Sequence, residues 1–212
     1  MALIDIYAAN GGWNNDLLFA HKSQPYFTWS PYFDTTGISV DASHLRHYNA
    51  YYMIGMPRFE FYTRMGNSYR MFENCYSLRF INSGTIQTSG LELANCYSIK
   101  KFSIAVGPGN RMNLPNCFNL ETLPEHGTNG YQIQLTTTTK LSDFKVGGIY
   151  GNCSFAGVPL LTKESLIYAI EHASQSGTQT ITLTAERYTT LSADPDVEAA
   201  LIARGSVVLA SA

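Results

Sequence analysis

Each of the four cysteines in this 212-residue chain follows an asparagine: Asn74-Cys75, Asn95-Cys96, Asn116-Cys117 and Asn152-Cys153. The first three pairs recur every 21 residues. A fixed spacing of this kind marks an internal repeat, and a period of about 20 residues is too short for a pair of helices. It restricts the chain to small stacked units, each of which buries its apolar side chains against the units before and after it.

Apolar residues keep the same register. Phe72, Leu93, Leu114 and Leu135 form one column; Leu78, Ile99, Leu120 and Leu141 a second; Ile81, Phe102, Leu123 and Phe144 a third. The cysteine column reads Cys75, Cys96, Cys117 and then Thr138. A weaker column, Leu91, Met112 and Ile133, is broken by Arg70 at its start. The shared unit is Φ-x-x-Cys-x-x-Φ-x-x-Φ, written as FENCYSLRFI, LANCYSIKKF, LPNCFNLETL and LTTTTKLSDF. One short strand per unit is expected at residues 78–81, 99–104 and 141–146, giving a parallel sheet along one side. Asn82-Ser83-Gly84 and Gly107-Pro108-Gly109-Asn110 are expected as turns on the other.

These units resemble BspA-like leucine-rich repeats, whose motif runs approximately C-x-x-L-x-x-I-x-I. Cys96, Ile99, Phe102 and Ile104 match it best, while the shorter period and Thr138 depart from it. The resemblance covers about 80 of the 212 residues. It implies an α/β solenoid: a short leucine-rich-repeat array with an irregular N-terminal cap and an α+β C-terminal cap. The corresponding boundaries are 1–52 for an aromatic cap or docking segment, 53–158 for the array and 159–212 for the C-terminal cap.

The last segment reads as helix, strand, helix, strand. Thr162 is placed as an N-cap, with Leu161 packing on Leu166, and Leu166, Ile170 and Ala173 share one helical face that stops at Gly177. Residues 180–184 alternate as a half-buried strand. Asp194-Pro195 opens a second helix that carries Val197, Leu201 and Ile202 to Gly205, and residues 206–210 form a final strand. This tail is similar to tails of proteins from gut bacteria and their tailed (crAss-like) phages. The N-terminal segment is aromatic without periodicity, and Trp13, Tyr26, Phe27, Trp29 and Tyr32 are its candidate subunit-docking residues.

Three readings stand for the cysteines. A buried, reduced ladder fits the hydrophobic character of free Cys. A disulfide between neighbouring units is the second. Zinc is the third, although no C-x₂₋₄-C pair is present. His44 and His47, with Asp41 nearby, have metal-like spacing but lack a convincing further ligand. Asp194 and Asp196 look like an acid/base pair, yet at a helix start they serve as caps. No G-x-S-x-G elbow, phosphate-binding loop or H-E-x-x-H is present. No catalytic residue, metal or cofactor is therefore expected.

Each cysteine of the repeat is followed by an aromatic residue: Tyr76, Tyr97 and Phe118, the column ending at Thr139. Facing outward, this stripe is the candidate binding site for a glycan or protein, because Tyr offers flat apolar area together with a hydroxyl; facing inward it is core, and partial burial is the expectation. Lys101 is the candidate polar contact among the mixed outward positions Lys101, Ser103, Thr122, Asp143 and Lys145.

Net charge is −2, too small a field to hold nucleic acid or anionic lipid. No apolar run approaches the ~20 residues of a membrane helix, so no membrane insertion is expected. The opening MALIDIYAANGGWNNDLLF has no basic start, so an exported precursor is not expected. Charged residues reach only 14% and aromatics 13%, which suits a chain that buries surface against copies of itself. Together with these features and the Tyr/Asn-rich surface, the resemblance of the C-terminal tail implies a non-enzymatic virion component of a phage, in a head or tail fibre, decoration or host-attachment role. Its partners would be other virion proteins or itself, as a homo-oligomer with a trimer favoured. The alternative is a bacterial cell-surface adhesin module that binds host protein or glycan.

Overall fold

The computed structural model describes residues 55–56, 72–81, 88–102, 106–123, 132–138 and 140–212. Within them the chain has an α/β arrangement whose main layer is a parallel sheet of six strands with three helices. Two-residue strands β1 (Gly55–Met56), β2 (Phe80–Ile81) and β4 (Lys101–Phe102) make a second, smaller parallel sheet in the order β1-β2-β4. The large sheet runs β3 (Thr88–Glu92), β5 (Val106–Asn113), β6 (Gln132–Gln134), β7 (Asn152–Phe155), β8 (Gln179–Leu183) and β9 (Val207–Ser211).

Its register follows the sequence spacing. Leu91 sits opposite Met112, and Met112 opposite Ile133, in two successive 21-residue steps. Gln134 then faces Ser154, Cys153 faces Ile181, and Ile181 faces Leu209. Leu91, Met112, Ile133, Cys153 and Ile181 are all buried, so one face of the sheet is a continuous apolar row.

The three-residue spacing of Φ-x-x-Cys-x-x-Φ has a simple cause. Backbone N–H groups of Cys75, Cys96, Val158 and Leu161 donate to carbonyls three residues earlier, as do those of Leu78, Ile99, Leu120 and Leu141. Successive i→i+3 turns bring every third side chain back to the same side. Phe72, Leu93, Leu114 and Leu135 are fully buried, as are Leu78, Ile99, Leu120 and Leu141, with Phe102, Leu123 and Phe144 nearly so. The side chain of Ile81 lies outside the described residues. Phe155, Val158 and Leu161 continue the first columns 20 residues further on and are equally buried, a set that sequence reading passed over.

Several expectations need correction. The main sheet lies on the weaker column of residues 91, 112 and 133, ahead of the cysteine motif rather than after it. Among the described residues, 78–81 and 99–102 supply only the two-residue strands, and 141–146 forms no strand beyond an isolated bridge at Val146. Gly107-Pro108-Gly109-Asn110 is part of β5, not a turn. The ladder jumps there from Thr88↔Val106 to Gly90↔Arg111, so the bulged strand absorbs extra residues, including a proline that has no N–H to donate. Asn82-Ser83-Gly84 lies outside the described residues.

The C-terminal elements follow their local signals more closely. Helix α1 (Lys163–Glu171) is capped by Thr162, whose side chain accepts from the Ser165 N–H, and Leu161, Leu166, Ile170 and Ala173 are buried. It stops at His172, before Gly177. Helix α2 (Ala185–Leu191), capped by Thr184, was not expected. Helix α3 (Pro195–Arg204) has Asp194 as N-cap, Pro at its start and Gly205 at φ 66° as its stop. Val197 is buried, but Ile202 is 74% exposed and Ala200 takes the inward place instead.

Candidate functional site

The aromatic column is assembled by the same turns that build the core. In each unit the residue before the cysteine is an asparagine in the left-handed region, with φ of 61° at Asn74, 62° at Asn95 and 60° at Asn116. Asn tolerates this region better than other non-Gly residues because its short amide bonds locally. Here the amides bond one another: Asn95 Nδ2 donates to Asn74 Oδ1 at 2.7 Å, and Asn116 Nδ2 to Asn95 Oδ1 at 2.7 Å. Beside this ladder Cys96 Sγ donates to the Phe72 carbonyl at 3.0 Å and Cys117 Sγ to the Leu93 carbonyl at 3.1 Å. The chain then turns outward at the aromatic position.

Tyr76, Tyr97 and Phe118 are 37%, 37% and 39% exposed, so each ring is more than half covered. The cover is largely one ring upon another. Tyr76 and Tyr97 stack with centroids 5.0 Å apart and planes 5° from parallel; Tyr97 and Phe118 follow at 5.5 Å and 27°. Tyr97 is thus sandwiched, and it offers solvent its ring edge rather than an open face. A sugar that needs a free aromatic face finds none on Tyr97; a chain lying along the column meets a row of edges about one stacking distance apart. Alongside, Asn119 Nδ2 donates to the Tyr97 carbonyl at 2.7 Å and Lys140 Nζ to Asn119 Oδ1 at 2.6 Å. Lys100 pairs with Glu121 at 3.1 Å.

Lys101 is exposed and belongs to β4 in the smaller sheet, which carries none of the three stacked rings. Thr139 falls outside the described residues, as do Ser103 and the candidate docking residues Trp13, Tyr26, Phe27, Trp29 and Tyr32. His44, His47 and Asp41 lie outside them too. Asp194 and Asp196 are drawn into capping: Asp194 Oδ1 accepts from the Asp196 N–H at 2.9 Å, and Lys163 Nζ reaches Asp196 at 2.7 Å and Asp194 at 3.4 Å. Bonding to Asp196 holds the Lys163 ammonium above its usual range.

All four cysteines are buried. Burial pushes the Cys96 thiol well above its ordinary value, with Cys75 and Cys117 beside it adding to the effect. Burial likewise raises Cys117 to about 12 and Cys153 to about 11. These thiols stay protonated near neutrality, and the thiol is a poor nucleophile and metal ligand. Cys153 stands apart from the other three: it lies on β7 and its sulfur accepts the Ile133 N–H at 3.3 Å. Thr138 fills the cysteine place in its unit, bonding the Gly157 carbonyl at 3.5 Å. Among the described residues no group of His, Cys, Asp or Glu could hold a metal, and no helix is long and apolar enough to cross a membrane.

A second surface feature went unread in the sequence. On the polar face of the large sheet a cleft of about 400 Å³ is lined by Leu91, Glu92, Arg111, Asn113 and Gln134. Asn113 Nδ2 donates to both Glu92 carboxylate oxygens at 2.9 Å, and Gln134 Nε2 to the Asn152 carbonyl at 3.1 Å. The signal was available: Glu92, Asn113 and Gln134 are 21 residues apart, one place beyond the Leu91 column.

Comparison with protein-family models, curated proteins and solved structures finds no match to this chain.

Proposed function

We propose that this chain is a non-enzymatic binding and assembly scaffold, built as a short leucine-rich-repeat-like solenoid, and that it serves as a virion component of a tailed phage. The solenoid reading is supported by side-chain ladders repeating at 21 residues along the parallel sheet. The observation that carries the binding role is the stacked column Tyr76–Tyr97–Phe118, held on a rigid backbone with its edges in solvent. Pre-stacked rings lose little side-chain freedom when a partner arrives, and edge-to-face contact with a partner's aromatic or apolar groups is then favourable. The phage setting is supported by the similarity of the repeat and tail motifs.

The test is in two steps. Mass spectrometry of gradient-purified particles from the phage that carries the gene is expected to find the chain in a fixed copy number; absence from particles overturns the virion placement. Binding of the particle partner is then compared between the wild-type chain and Tyr97→Ala, with a loss of at least about tenfold expected for a central aromatic contact. Unchanged binding removes the column from the role. The surface-adhesin alternative draws on the same tyrosine hydroxyls, and a glycan-array signal lost in Tyr97→Ala is the result that would favour it.

A further inference from the structure

Among the described residues the large sheet ends at β9, and the backbone shows which of its groups no described strand takes up. The Gln179 N–H donates to the Ser206 carbonyl at 2.7 Å, and the Ala212 N–H to the Leu183 carbonyl at 2.9 Å. N–H and C=O of one strand residue point to the same side, and the side alternates along the strand. Residues 206, 208, 210 and 212 therefore face β8, and Val207, Leu209 and Ser211 turn three N–H and three C=O groups to the open edge.

Natural sheets blunt such an edge with charge, proline or a bulge. β9 has none of these: residues 205–212, GSVVLASA, have no charged side chain and no proline, and its register against β8 is unbroken from Gln179↔Val207 to Leu183↔Ser211. Val208 is 48% exposed on the face away from the helices, and helix α3, packed beside β9, carries the 74%-exposed Ile202.

We propose that the β9 edge is a two-fold contact between two copies of this chain. The open groups are symmetric about Leu209, which is what a self-pairing requires. Antiparallel pairing centred there sets Leu209 against Leu209 of the other copy and Val207 against Ser211, so that all six outward groups of each strand are used. Val208 then lies opposite Ala210, a large side chain against a small one, and no like charges meet. The contact is isologous, so it closes after two copies and predicts a dimer rather than the trimer expected from the resemblance. It continues the sheet without using the aromatic column, and it holds or fails independently of the virion role.

The experiment is sedimentation equilibrium of the full chain over roughly 1–500 µM, a range suited to an edge contact smaller than a standard interface. The expected result is a reversible rise from 23.5 kDa to twice that mass. Ser211→Pro removes an outward N–H while leaving every bond to β8, and Val208→Lys opposes the apolar contact; each is expected to weaken the dimer at least tenfold with an unchanged circular dichroism spectrum. Hydrogen exchange on the unmodified chain adds a reading free of folding defects. Amides of Val207, Leu209 and Ser211 should gain protection as concentration rises, while those of Val208 and Ala210 are protected throughout. A monomer at every concentration, or an oligomer indifferent to both substitutions, overturns the proposal, as does concentration-independent exchange at the three outward amides.

Discussion

Residues 72–161 and residues 162–212 share one sheet and one apolar core but are held together differently. In the described part of the first region short strands alternate with tight turns, and the Asn and aromatic side chains at 74, 95, 116 and 76, 97, 118 meet their counterparts 21 residues away. In the second, the strand pairs stand 28 residues apart because complete helices with their own caps fill the intervals. The first region is thus stabilised by neighbours and the second by local signals reinforced by packing. A lesion at one of these contacts should be felt at the residues 21 positions away in both directions, whereas a lost helix cap should stay where it is made.

The largest effect is expected where the stack reaches its last turn unit. A Cβ on Gly157 would stand 2.0 Å from the Thr136 carbonyl carbon and 2.2 Å from the Thr137 nitrogen, both backbone atoms that cannot move aside. Gly157→Val should cost more than about 4 kcal/mol in urea unfolding. Cavity variants sharpen the comparison. Leu114→Ala, fully buried between Leu93 and Leu135, and Leu166→Ala in α1 should each cost about 2–5 kcal/mol, but only Leu114→Ala should speed hydrogen exchange at Leu93 and Leu135 alike.

Asn95 separates backbone from ladder. Asn95→Ala keeps neither the amide bonds nor an easy positive φ and should cost about 2–3 kcal/mol; Asn95→Gly keeps the backbone and should cost about half as much. Asp194→Ala removes only a cap and should cost about 1 kcal/mol, with exchange changes confined to α3.

These particular residues also show what the sequence reveals and what it hides. Buried columns were legible because burial demands apolar side chains at a fixed spacing, and the caps at Thr162 and Asp194 because a helix start demands an oxygen acceptor. The position of the main sheet was not. Its column, Leu91, Met112 and Ile133, supplies one apolar residue between polar or glycine neighbours in each strand, and in the three-residue β6 that leaves an alternation too short to recognise. Gly107-Pro108-Gly109 reads locally as a turn, and only pairing with β3 extends it. The asparagines were visible as a repeat, but not their positive φ or mutual bonds, which depend on the unit above. That the aromatic rings stack on one another, and so hide their faces, is likewise a property of two units together.

The smallest effect near neutrality is that of the thiols. Cys117 has its ordinary value of 9.0 raised to about 12, so below pH 9 both folded and unfolded chains hold the proton and stability is unaffected. As pH rises from 9 towards 12 the unfolded chain loses the proton first, and stability should fall across that window. Urea midpoints measured from pH 7 to 11 check the sign. A midpoint that does not fall across that window would contradict the burial of the thiol.

The central claim is that residues 21 apart in sequence are stacked neighbours. Nuclear Overhauser contacts in the isotope-labelled chain test it directly. The account predicts ring–ring contacts between Tyr76 and Tyr97 and between Tyr97 and Phe118, with amide contacts linking Asn74, Asn95 and Asn116 in order. Contacts of these side chains to residues at another spacing, in place of the 21-residue set, would contradict it.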